Sequence, residues 1–112
     1  MVEDITYNEL KNKLASSSKP FLVDIWAKWC LPCSKIKPAV ERLSQEYNGK
    51  MNFYTLDLSK EPDIMELGVR SIPTILFIKD GEIAGMVVGA VSYGRLRNEV
   101  DKVLGIEREH LR

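Results

Sequence analysis

Cysteine and histidine are scarce in this chain: of 112 residues, two are cysteine, Cys30 and Cys33, and one is histidine, His110. Zinc and iron–sulfur centres ordinarily take four soft ligands, so this set falls short of a metal site unless two copies share ligands. His110 stands in a polar tail, where a solvated side chain is the simpler reading. An excess of charge of one sign is lacking too. The 16 acidic and 16 basic residues cancel and are interspersed, leaving no long-range field to gather nucleic acid or an anionic membrane. No apolar stretch approaches the roughly 18 residues of a membrane span. The start, MVEDITYNEL, has no basic flank, apolar run or small-residue cleavage site. A soluble, cytoplasmic chain is expected, although a signal already cleaved would leave the same text. Repeats, linkers and low-complexity tracts are also missing, so one domain over 1–112 is expected. With 45% hydrophobic residues it can bury a core without a stapling disulfide.

What is present divides into clear elements. Thr6 and Glu9 form a capping box, and Tyr7, Leu10 and Leu14 share a helical face, predicting a helix from about Tyr7 to Ala15. "SSSKP" ends it. "FLVDIWA" is then nearly all apolar, β-branched or aromatic and reads as a buried central strand with one misfit, Asp24. Ile36, Val40, Leu43 and Tyr47 keep a helical spacing from Cys33 to the Asn48-Gly49 cap, with Pro38 inside and expected to kink the helix. "MNFYTLDL" is a second strand, and the strand, helix, strand order makes it parallel to the first. "KEPDIMELG" reads as a short helix. "TILFIK" and "EIAGMVVG" are strands joined at Asp80-Gly81, a strong hairpin signal. Ser92 caps a last helix that turns Leu96, Val100, Val103 and Leu104 inward and stops at Gly105, ahead of the polar tail "IEREHLR". The pattern is that of an α/β domain whose helices cover a mixed sheet.

Cys30 and Cys33 admit three readings: half of a metal site, an inert pair of small core residues, or a redox couple. The surroundings favour the third. Cys30 follows a buried strand and opens a helix, where unpaired N–H groups and the macrodipole stabilise a thiolate. Cys33 falls one helical turn later, behind Cys30 and beneath the surface. It is placed to attack a mixed disulfide intramolecularly. Cys30 is then the nucleophile and Cys33 the resolving thiol. Pro32 fixes the backbone between them, and Lys28 and Lys35 either add positive charge or are ordinary solvated lysines.

Asp24 is the second signal, because a carboxylate amid "FLVDIWA" is costly to bury ionised and shifts its pKa upward instead. It reads either as a strand-end residue reaching solvent or a cap, or as a buried acid–base group that accepts the Cys33 proton.

"VDIWAKWCLPCSKIKP", then "GVRSIPTILFIKDGEI" and "VVGA", resembles the thioredoxin family over nearly the whole chain, with several motifs in order. The resemblance implies the thioredoxin fold, a central mixed β-sheet with α-helices on both faces and a first strand no longer than about residues 2 to 5. It implies a redox-active pair at Cys30 and Cys33, a buried acid at Asp24, the helix-kinking Pro38, and a substrate surface of Trp29, Ile72, Pro73 and Gly89. Leu31 and Pro32, between the cysteines, join that surface, while Trp26 is assigned to packing. Sequence alone favours a trans bond before Pro73. The resemblance implies a cis bond that presents the Ile72 backbone to an extended substrate segment.

Two departures stand out. Leu31 occupies a position where the family commonly has glycine, which bears on partner choice and potential. Thr55 stands near where many members have a lysine paired with the buried acid, so Asp24 is expected to lack that cation and to titrate higher still. The resemblance implies a monomeric protein-disulfide reductase with no bound cofactor, acting on disulfide-containing proteins and re-reduced by a thioredoxin reductase. The alternatives are a specialised oxidase, isomerase or dedicated reductant, for which Leu31 speaks, and a binding module using the rim of Trp29, Leu31 and Ile72 with idle thiols.

Overall fold

A computed structural model describes residues 2–107, so the reading of His110 as a tail residue lies outside the described residues. A five-stranded mixed sheet runs through the middle, in the order β1-β3-β2-β4-β5. Its strands are β1 (Glu3–Asp4), β2 (Phe21–Trp26), β3 (Asn52–Asp57), β4 (Thr74–Lys79) and β5 (Glu82–Val88). β3 pairs parallel with both β1 and β2, whereas β2–β4 and β4–β5 are antiparallel. The parallel β2–β3 pair is the one anticipated from the intervening helix.

The period-2 alternation of the strands builds two cores, one on each face. Phe21, Val23 and Ile25 of β2 face α1 (Tyr7–Ser16) and a 3-10 helix (Pro62–Leu67), meeting Leu10 and Ile64. Leu22 faces the other way, where α2 (Leu31–Glu46) contributes Ile36, Val40 and Leu43 and α3 (Tyr93–Leu104) contributes Leu96, Val100 and Val103. Each of these fully buried side chains contributes about 1.5–3 kcal/mol relative to exposure.

Local signals set the boundaries. The Thr6–Glu9 capping box is complete, with Glu9 N–H donating to Thr6 Oγ1 at 3.0 Å and Thr6 N–H to Glu9 Oε1 at 2.8 Å. Asp80 and Gly81 both have positive φ, 55° and 77°, as the tight β4–β5 turn requires. Two expectations need correction. The short helix is 3-10, since Pro62 and Gly68 mark its ends but do not set its hydrogen-bond pattern. α2 begins at Leu31 rather than Cys33, because Cys30 is its N-cap and Pro32 fits its first turn.

Candidate active site

β2 ends at Trp26 and the chain turns through Ala27 to deliver Cys30 to the start of α2. Cys30 caps the helix with its own sulfur, Sγ accepting the Cys33 N–H at 3.3 Å. The first-turn N–H groups have no intrahelical acceptor and carry the positive end of the dipole, so charge on that sulfur is stabilised. One turn along, Cys33 lies with its Cα 5.3 Å from that of Cys30, and the two sulfurs are joined as a disulfide. Cys30 is 8% exposed and Cys33 1%. The asymmetry gives each its part: the outer sulfur is within an attacker's reach and the inner is sheltered beneath it.

The remaining residues of the predicted surface gather round this pair. Ile72 and Trp26 pack against the cluster of Ala27, Cys30 and Cys33. The Ile72-Pro73 bond is cis. Pro73 itself is buried, whereas Ile72, half-buried, lies just outside the β4 ladder. Gly89 adopts φ +98°, which disfavours any side chain, and donates its N–H to the Pro73 carbonyl at 2.8 Å. That bond ties the end of β5 to the cis-proline loop. Trp29 and Leu31 are each 72% exposed, and Pro32 is exposed. An apolar rim thus surrounds the sulfurs. Trp26 is half-buried packing, as expected. Lys28 and Lys35 are exposed.

Asp24 is 2% exposed and does not reach solvent. Burial pushes its carboxyl up to about 7, and the Lys37 ammonium works in the opposite direction. Thr55 sits beside Asp24 in the β2–β3 register, so the acid lacks the paired lysine at that position, as expected, and the positive charge that acts on it comes from helix α2. Sequence reasoning missed Lys37. Its signal was the i+4 spacing from Cys33, which puts both residues on one helical face.

A mixed sheet covered on both faces, with a C-x-x-C pair spanning a helix N-terminus against a cis-proline loop, defines a domain arranged for dithiol–disulfide exchange. The comparisons specify the family. The thioredoxin family model matches residues 1–102, and the chain belongs to the thioredoxin family. It is 38% identical to the chloroplastic M-type thioredoxin of Spinacia oleracea over 92% of this chain, but spans only 58% of that protein's length. With the thioredoxin of Chlorobaculum thiosulfatiphilum it shares 35% identity, over 91% of this chain and 95% of the relative. The crystal structure of the Malassezia sympodialis thioredoxin Mala s 13 superposes with a TM-score of 0.83 at 32% identity, covering 92% of this chain and 93% of that one.

Proposed function

We propose that the protein reduces protein disulfides by two-step thiol exchange. In the reduced protein, the Cys30 thiolate attacks one sulfur of a substrate disulfide, forming a Cys30–substrate mixed disulfide and releasing the other sulfur as a thiolate. Cys33 then gives its proton to Asp24 and attacks Cys30 Sγ. The second substrate sulfur leaves, and two electrons have passed from the cysteine pair to the substrate. The Cys30–Cys33 disulfide that remains is re-reduced by an external donor, in this reading a thioredoxin reductase. No bound cofactor enters the cycle.

The observation that carries the reading is Cys30 as the N-cap of α2, with its sulfur accepting the Cys33 N–H. Attack on a disulfide is fastest for a thiol whose pKa lies near ambient pH, and this position moves a thiol that way. The rim of Trp29, Leu31 and Ile72 supplies apolar contact for an extended substrate segment, with the Ile72 backbone offered for strand-like pairing. A monomer working in the cytoplasm is part of the same proposal.

Insulin reduction driven by dithiothreitol tests it. Native protein should accelerate the reaction, Cys30→Ser should abolish the acceleration, and Cys33→Ser should accumulate a mixed disulfide visible as a mass adduct. Retention of activity in Cys30→Ser overturns the reading, and partner capture that survives that substitution favours a binding module instead. Leu31, exposed and apolar between the cysteines, supports a second reading as a specialised oxidant, isomerase or dedicated reductant. Equilibration of the Cys30–Cys33 pair with glutathione separates these, because a reductant stays oxidised where an oxidant becomes reduced.

A further inference from the structure

Several features beyond the cysteine pair meet under the first turns of α2. Asp24 shares a face of β2 with Leu22, the face that α2 covers, and the parallel register sets Thr55 beside it. Asp24 Oδ1, Thr55 Oγ1 and Trp26 Nε1 are buried polar atoms without a hydrogen-bond partner among the described residues. A cavity of about 230 Å³ reaches Thr55 and is otherwise lined by Val2, Lys37, Val40 and Glu41. That volume accommodates several waters, and polar atoms that lack protein partners are what buried water satisfies. At its edge Lys37 Nζ sits 4.2 Å from the centre of the Trp26 ring.

Charges of both signs surround Asp24. α2 contributes Lys37 and Glu41 at the cavity. On the sheet, the register puts Asp4 of β1 and Asp57 of β3 on the same face as Asp24, and β4 adds the apolar Ile75. α3 offers this core Leu96, Val100 and Val103 and, at the end away from the cysteines, the buried Asp101 that accepts the Tyr47 hydroxyl. Lys37 is thus the cation of the cavity that Thr55 lines, while Asp4 and Asp57 share a second cavity beside Trp26 with Lys28, Lys60 and Glu61. Burial by itself holds Asp24 protonated, and a protonated carboxyl cannot take a proton from Cys33. Stacking on Trp26 keeps the long lysine chain near the cavity rather than free in solvent.

We propose that Lys37 is a positioning residue for the exchange reaction: held against the Trp26 ring at the cavity, its ammonium keeps the Asp24 carboxyl available in its ionised, proton-accepting form. The proposal rests on the reading of Asp24 as the acceptor of the Cys33 proton. Because Lys37 is exposed, Lys37→Met leaves the core untouched, and the hold on Asp24 should weaken with added salt.

The test is the titration of the Asp24 carboxyl carbon, followed by NMR in the oxidised protein, where neither cysteine titrates. From its native midpoint of about 7, Lys37→Met should raise it by about one unit. Lys37→Arg should keep the native midpoint, and high salt should close the gap between native protein and Lys37→Met. The acidic limb of the disulfide-reduction profile should move by the same amount. At pH 7 the ionised fraction would fall from about a half to a tenth, slowing the reaction about fivefold where resolution limits the rate. An unchanged Asp24 midpoint in Lys37→Met overturns the proposal. Asp24→Asn distinguishes the two levels. If Asp24→Asn keeps the native pH profile, the proton-acceptor reading fails and takes this proposal's role in the reaction with it. If Asp24→Asn loses the acidic limb while Lys37→Met keeps both limb and midpoint, only the proposal for Lys37 fails.

Discussion

Among the described residues, two carboxyl groups are buried on the α2 side of the sheet, and they are treated in opposite ways. At the end away from the cysteines, Asp101 of α3 accepts the Tyr47 hydroxyl at 2.6 Å, a bond that ties the end of α2 to α3 across 54 residues of sequence. At the cysteine end, Asp24 is more deeply buried, yet its Oδ1 has no hydrogen-bond partner among the described residues and its pKa is pushed up to about 7. Burial of a polar group is tolerated when hydrogen bonds replace the lost water. Asp101 meets that condition and reads as architecture. Asp24 falls short of it, a cost to the fold that the proposed part in proton transfer would account for.

The comparison breaks most visibly at Asp24. Its raised pKa means that between pH 3.8 and about 7 the folded protein keeps a proton that the unfolded chain has given up. Stability therefore falls as pH rises through that window and levels off above it. Asp24→Asn cannot ionise and escapes the loss. It should be more stable than the native protein by up to about 4 kcal/mol above pH 7, from a shift of roughly three units. The difference should shrink steadily toward pH 4. Urea unfolding at pH 8.5 and pH 5 measures both values, and a gap that does not grow with pH would mean that Asp24 is not a strained acid.

At the other carboxyl the sign reverses. Tyr47→Phe removes the hydroxyl's hydrogen bond to the buried Asp101 carboxylate, which should cost about 2 kcal/mol in urea unfolding. Activity toward insulin should hold in native buffer, since this bond lies far along α2 from Cys30. A stabilising Tyr47→Phe would remove the distinction drawn between the two carboxyl groups.

The contrast also marks how far the sequence could be read. The nearly unbroken apolar run of β2 predicts a buried central strand, and the spacing of Ile36, Val40 and Leu43 predicts the helix stripe packed on it, because burial of a strand or a helix stripe is a local pattern. Cys30 as a helix opener and Asp24 as a misfit are legible for the same reason: each violates or completes a local rule. The cis bond before Pro73 was implied only by resemblance, as nothing in the neighbouring residues distinguishes it from a trans bond. Tyr47 was legible as part of the helical face of α2, but its bond to Asp101 was not, because that pairing depends on where two helices end against each other. Lys37 was missed for a related reason. Its spacing from Cys33 was visible, but its effect on Asp24 depends on how α2 lies over β2, which no local pattern specifies.

The smallest expected change is the sharpest test of whether the cysteine end is loosely satisfied. Thr55 Oγ1 is buried without a hydrogen-bond partner among the described residues, and valine has nearly the same shape and the same β-branched preference for a strand. Removing a hydroxyl that has no protein partner forfeits no protein hydrogen bond, and only water in the adjoining cavity loses a contact. Thr55→Val should therefore change stability by less than about 1 kcal/mol in either direction, well short of Tyr47→Phe although both substitutions delete one buried hydroxyl. Equal losses in the two variants would mean that Thr55 is bonded as firmly as Tyr47. The polar atoms around Asp24 would then belong to a closed network rather than to a wet passage, and the asymmetry between the two ends of the core would be lost.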